Sequence, residues 1–193
     1  SIINIPAILG WLLYEGNSTR LIVSEHATMS YEAHPKGRWN IRSRLIPFLA
    51  RWLYPRADGL HANSDEVLKD VLDTIGVHMR DRAIAIPNPV NVEHVINMSR
   101  KLPSHPWIRD KQKPVILFVG RLVREKNLQL LIRAFASLKK HADIRLLILG
   151  EGPERTTLEH LARRLGVAED VDFPGYAENP WSYMARSDLF VLP

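Results

Sequence analysis

Five consecutive apolar residues, Val115–Val119, run directly into Gly120 and then into a polar, mostly basic stretch at residues 121–126. An unbroken apolar run of this kind fits a strand covered on both faces of a parallel sheet, and periodicity alone leaves a buried helical segment open. Gly120 lets the chain turn. From residue 127 a helical period begins, with Asn127 at the N-cap position and Leu128, Leu131, Ile132, Phe135 and Leu138 on one face. Arg121 and Lys126 therefore fall between the carboxyl end of a strand and the amino end of a helix. Open α/β sheets bind ligands there, and free N–H groups with the helix dipole favour anions. Two cations at that place predict a diphosphate site. Position alone is equally compatible with a surface turn whose cations are simply solvated.

The pattern recurs downstream. Residues 144–149 read as a strand, Gly150-Glu151-Gly152-Pro153 as a turn, and Leu158, Leu161, Ala162 and Leu165 as the apolar face of a helix closed by Gly166. Residues 171–173 form a short strand ending at Pro174-Gly175-Tyr176, and residues 188–192 read as a buried strand after a short helix holding Tyr183 and Met184. Gly120, Gly150 and Gly175 thus each follow a strand. In a parallel sheet those turns share one edge, where glycines let backbone approach a nucleotide. Gly150-x-Gly152 is not the dinucleotide-binding fingerprint.

Residues 120–127, Gly-Arg-Leu-Val-Arg-Glu-Lys-Asn, resemble the G-R-L-x-x-E-K-(N/G) signature of the GT-B glycosyltransferases of family 4. Leu146-Leu147-Ile148-Leu149-Gly150-Glu151-Gly152-Pro153, then Phe173-Pro174-Gly175-Tyr176, then Ser187-Asp188-Leu189-Phe190-Val191-Leu192-Pro193 fit the same family in order and spacing, so the likeness spans residues 114–193. The resemblance implies that Arg121 and Lys126 hold the diphosphate of a nucleotide-sugar donor. It also implies that the backbone around Phe173 and Tyr176 contacts the base, packing being the alternative for the Tyr176 ring. Gly120, Gly150, Gly152 and Gly175 complete the expected donor loops. The family usually needs no divalent ion, so neither metal nor cofactor is expected. The histidines lack a His-x-x-x-His pair or a neighbouring carboxylate cluster with ligand spacing.

In the first half, residues 2–14 read as a helix and 21–24 as a short buried strand that delivers His26 to a carboxyl end. Spacing alone favours a locally hydrogen-bonded loop histidine. Many family members carry a histidine after the corresponding strand, near the sugar and acceptor, so the resemblance makes His26 the catalytic candidate. Residues 59–64 read as a strand and turn, with Ser64 capping a helix over 65–75 that Gly76 ends. Residues 82–86 are another strand, and Pro87-Asn88-Pro89-Val90-Asn91 resembles the family's I-P-N-G-V-D turn, with Pro89 where glycine is usual. Residues 36–56 interleave Lys36, Arg38, Arg42, Arg44, Arg51 and Arg56 with Trp39, Phe48, Trp52 and Tyr54, and Pro47 interrupts the helical pattern. That is the composition of a helix lying on an anionic membrane. A helix packing its apolar side on the sheet is slightly favoured, because so many apolar residues would also serve a core.

The net charge of +5 suits anionic partners, and no apolar run reaches the roughly 20 residues that span a bilayer. No nucleic-acid motif accompanies the basic residues. Absence of cysteine fits a cytoplasmic protein, peripheral at the inner membrane face if the helix docks. The fold class expected is α/β of GT-B type, with two Rossmann-like parallel-sheet domains, both incomplete. Residues 1–100 would be the latter part of the N-terminal, acceptor-side domain and 101–193 the first part of the C-terminal, nucleotide-sugar domain. Both ends read as cut, and the family's glutamate motif is expected just after Pro193. The implied activity is transfer of a sugar from a nucleotide-diphosphate donor to a sugar or lipid-linked acceptor, with retention, in glycan or glycolipid synthesis. This piece alone is expected to be inactive. A GT-B sugar-nucleotide epimerase and a non-catalytic nucleotide-binding or membrane-docking module are the rivals.

Overall fold

The computed structural model describes residues 3–14, 19–29 and 41–193. The chain divides into two compact units, Ser1–Val90 and Asn91–Pro193.

Among its described residues the first unit holds a parallel sheet of three strands in the order β1 (Ile22–Glu25), β2 (Gly59–Ala62), β3 (Ala83–Ala85). Helices α1 (Asn4–Leu13), α2 (Ile41–Leu53) and α3 (Asp65–Ile75) belong to it. Ile8, Val23, Ala50, Leu60, Val71 and Ile75 are among its core residues. The Asn4 amide donates to the Ser24 carbonyl and to Glu25 Oε1, both at 2.9 Å, and the Tyr54 hydroxyl donates to the same carboxylate. These bonds tie α1 and the end of α2 to the carboxyl end of β1. α3 begins as expected: Ser64 Oγ accepts from the Val67 N–H at 3.2 Å, and Gly76 ends the helix at φ +91°.

α2 is continuous through Pro47 instead of being interrupted there. Proline removes one N–H from the ladder. The helix is apolar on two sides. Ile46, Ala50 and Leu53 face the core, while Leu45, Phe48, Leu49 and Trp52 are exposed. Lys36, Arg38 and Trp39 lie outside the described residues, as do the side chains of Arg42 and Arg44.

The second unit is a parallel sheet of four strands in the order β6 (Val171–Gly175), β5 (Arg145–Leu149), β4 (Val115–Val119), β7 (Leu189–Phe190). Its helices are α4 (Val92–Arg100), α5 (Pro106–Arg109), α6 (Leu128–Leu138), α7 (Arg155–Arg164) and α8 (Pro180–Met184). Ile116, Phe118, Leu146 and Ile148 point into a core shared with α6 and α7, while Val115, Leu117, Leu147 and Leu149 point into a second core with Ile108 and Tyr183. Burial on both faces is why the runs in β4 and β5 are continuous rather than alternating.

The compact units divide after Val90, so α4 packs with the second unit. The carbonyls at its carboxyl end are held there: Asn179 Nδ2 donates to Met98 at 2.9 Å, and Arg186 donates to Ser99 at 2.7 Å and Arg100 at 3.0 Å. The last strand is not buried. β7 spans only Leu189–Phe190 at the sheet margin, with Leu189 53% and Phe190 40% exposed. It pairs with β4 on one side only.

Candidate functional site

In the second unit the turns after β4, β5 and β6 meet through their backbones. The Gly120 N–H donates to Leu149 at 3.0 Å, Gly150 N–H to Gly175 at 2.8 Å, and Leu122 N–H to Glu151 at 2.9 Å. Gly150 sits at φ +132°, and a Cβ there would lie 1.9 Å from the Gly120 carbonyl oxygen. A Cβ on Gly152 would lie 2.4 Å from the Leu122 oxygen. These glycines are therefore fixed first by the neighbouring turn, which packs where a side chain would be. Arg155 braces the same turns from beneath. It donates to Glu151 at 2.8 Å, to Glu159 at 3.0 Å and to the Phe173 carbonyl at 2.6 Å. The hydrogen bond to Glu159, followed by that to Glu151, raises its pKa further against the opposing effect of burial.

A cavity of about 410 Å³ opens at this edge, lined by Gly120, Arg121, Gly150, Glu151, Tyr176 and Trp181 among others. Arg121 and Lys126 are exposed, and among the described residues neither side chain has a hydrogen-bond or ion-pair partner. Lys111, Lys113, Lys139 and Arg155 are each paired with a carboxylate, whereas Arg124, between Arg121 and Lys126, is likewise exposed and unpaired among the described residues. Arg121 lines the cavity. Lys126 follows in a 3-10 turn, Arg124–Lys126, outside the lining. The Tyr176 ring is 78% exposed, which removes packing as its explanation. Phe173 is different: its ring is buried in the core, and only its backbone reaches this edge. Gly152 and Gly175 shape the turns without lining the cavity. Asn127 occupies the N-cap position in the left-handed conformation, φ +46°, without a side-chain cap bond. Trp181 and Glu178 also line the cavity and were not singled out from the sequence. Pro180 at the start of α8 was the available signal for Trp181, since it fixes where that helix begins.

In the first unit His26 is exposed just past β1. Its Nε2 lies 3.1 Å from Ser24 Oγ, which lies 2.7 Å from His61 Nδ1, and His61 Nε2 lies 3.1 Å from the Ile86 carbonyl oxygen. The register explains the grouping. Ser24 of β1 pairs with His61 of β2, and Ser24 and His26 are two residues apart, on one side of the strand. Among the described residues no three His, Asp or Glu side chains are grouped to hold a metal ion, and no helix is long and apolar enough to cross a membrane.

Residues 103–193 match the family described as glycosyl transferases group 1, and residues 3–94 match glycosyltransferase family 4. The chain is 37% identical over 177 residues to the N-acetylgalactosamine-N,N'-diacetylbacillosaminyl-diphospho-undecaprenol 4-alpha-N-acetylgalactosaminyltransferase of Campylobacter jejuni, covering 92% of this chain and 45% of that protein. It is 32% identical over 158 residues to the lipopolysaccharide core biosynthesis glycosyltransferase LpsE of Rhizobium meliloti, covering 81% of this chain and 43% of that protein. It therefore spans less than half the length of these curated relatives. The crystal structure of Anabaena HepE in complex with UDP and glucose shares the fold, at TM-score 0.71 and 21% identity over 96% of this chain and 50% of that one. The two family matches together take in nearly the whole sequence, and with these relatives they establish that the chain belongs to the family 4 glycosyltransferases of the GT-B fold.

Proposed function

We propose that the whole protein transfers a sugar from a nucleotide-diphosphate sugar to an acceptor, with retention, in glycan or glycolipid synthesis. The observation that carries this reading is the pair of unpartnered cations, Arg121 and Lys126, at a glycine-built edge beside an open cavity. As the sugar leaves, negative charge gathers on the diphosphate. Arg121 and Lys126 stabilise that charge from the protein's own side chains, without calling on a divalent ion. His26 acts on the sugar or its acceptor. UDP bound to a GT-B neighbour and the diphospho-linked acceptor in the name of the Campylobacter relative support the same donor and acceptor classes.

In the whole protein, Lys126→Ala should weaken nucleotide-diphosphate binding about tenfold or more, since a charge-assisted hydrogen bond contributes roughly 1.5–3 kcal/mol. Unchanged affinity by calorimetry with the fold intact would remove the assignment. A product assay separates the rival chemistry: a transferase gives free nucleotide and a glycosylated acceptor, whereas an epimerase returns an isomerised donor.

A second reading concerns location. The exposed stripe of α2, with Phe48 59% and Trp52 60% exposed and their ring centroids 6.4 Å apart, is flanked by the exposed Arg51 and Arg56. An anionic bilayer fits such a stripe, and on this reading the protein docks at the cytoplasmic face beside a lipid-linked acceptor. The protein should sediment with anionic vesicles and be released in part by salt, because the Debye length falls from about 10 Å at 0.1 M to about 3 Å at 1 M. No sedimentation at low salt would overturn it.

A further inference from the structure

The hydrogen bonds behind His26 have one consistent direction when both rings are neutral. The Ile86 carbonyl can only accept, so His61 Nε2 carries the proton of the 3.1 Å bond between them. His61 Nδ1 then bears a lone pair and accepts the Ser24 hydroxyl proton across 2.7 Å. Ser24 has no second proton, so its oxygen accepts from His26 Nε2–H across 3.1 Å. That leaves the lone pair of His26 Nδ1 without a partner among the described residues. Each link is set by the fold. Parallel pairing puts Ser24 opposite His61, the Ile86 N–H donates to Ala62 at 2.9 Å to bring β3's end alongside, and the Asn63 amide holds the His26 carbonyl at 3.4 Å.

We propose that Ser24 and His61 are positioning residues that hold His26 in its Nε2–H form, so that it presents Nδ1 as a hydrogen-bond acceptor to a hydroxyl of the sugar or acceptor substrate. This rests on the reading of His26 as a residue of the transferase site. Through this chain a residue on β2 orients a side chain beyond β1, and the ligand group that His26 meets must be one that donates.

The orientation can be read without activity. Long-range proton–nitrogen spectra of this chain labelled with ¹⁵N-histidine should show His26 bearing its proton on Nε2 alone. Ser24→Ala and His61→Phe should give a mixture of the two ring forms, and Ser24→Thr, which keeps the hydroxyl, should restore the single form. A wild-type His26 protonated on Nδ1 overturns the proposal, and this outcome needs no variant to fold. In the whole protein, Ser24→Ala and His61→Phe should each lower kcat/KM for transfer about three- to tenfold, the range for one neutral hydrogen bond, with nucleotide affinity unchanged. Combined with His26→Ala they should add nothing further. A further loss in the double variants would mean that Ser24 and His61 act by another route and would overturn the proposal. If His26→Ala alone leaves turnover intact, the assignment of His26 to the site fails, while the spectra still decide how the ring is held.

Discussion

The two units present their carboxyl edges in different materials. In the second, the turns after β4, β5 and β6 are knit by backbone bonds, Gly150 to Gly175 at 2.8 Å and Leu122 to Glu151 at 2.9 Å. In the first, the edge is organised by side chains reaching between strands, Ser24 to His61 at 2.7 Å and His61 to the Ile86 carbonyl at 3.1 Å. A backbone-built edge depends on the residues that have no side chain. A side-chain-built edge depends on particular hydroxyl and imidazole groups. The first arrangement suits a ligand gripped by charge and dipoles, such as a diphosphate. The second suits one group that must be aimed.

The largest expected effect tests this contrast directly. Gly150→Ala forces a Cβ to within 1.9 Å of the Gly120 oxygen at φ +132°. It should destabilise the second unit by about 3 kcal/mol or more. Gly59→Ala serves as a control away from either carboxyl edge: at the amino end of β2 it meets its nearest atom at 3.6 Å with no unusual φ, and should stay within about 1 kcal/mol of wild type. Urea titration followed by circular dichroism compares the two, and equal midpoints would break the distinction.

How far the sequence revealed each edge follows from the same difference. The turns of the second unit were visible because strand, glycine and helix are contiguous in the chain, and the two-sided burial of β4 makes its apolar run unbroken. Ser64 was likewise readable as a cap because its partner, Val67, is three residues away. The grouping of Ser24 with His61 was not, since the bond joins residues 37 apart through a strand register that no local pattern encodes. The attachment of α4 to the second unit was not readable either, because the groups that fix it, Asn179 and Arg186, lie 81 and 87 residues downstream of the carbonyls they hold.

A middle-sized effect separates two helix starts. α3 begins with a side-chain cap at Ser64, whereas α6 begins with Asn127 in the left-handed region and no such cap. Threonine keeps the hydroxyl and is strained at positive φ by its branched Cβ. Ser64→Thr should therefore cost only a few tenths of a kcal/mol, against about 1 kcal/mol for Ser64→Ala. Asn127→Thr should cost about 1–2 kcal/mol, while Asn127→Gly should be nearly neutral. Thermal denaturation of the four variants checks the pattern. If Asn127→Thr is as benign as Ser64→Thr, the two starts do not differ as described.

The smallest effect lies at the opposite edge of the second unit, where cations are paired instead of left open. Asp143, ahead of β5, accepts from Lys113 and Lys139, each at 2.8 Å. The hydrogen bond from Lys113, then that from Lys139, lowers its pKa from 3.8 to about 2. A carboxyl with a depressed folded pKa binds its proton more readily when unfolded. Its contribution is therefore fully present above the unfolded value and is lost as pH falls through the folded one. The window runs from about pH 4 down to about pH 2. The side chain is 66% exposed, so solvent and salt screen the pair and the stabilisation is slight. Asp143→Asn should melt slightly below wild type above this window, and the gap should close as pH approaches about 2. Lys139 keeps Asp170 at 2.9 Å in the variant, which limits the loss further. A gap that stays constant across the window would show that this carboxylate is not titrating with folding. Asp143→Asn should leave the diphosphate binding proposed for Arg121 and Lys126 untouched near neutral pH, because those two cations sit at the other end of the strands and share no carboxylate with this cluster.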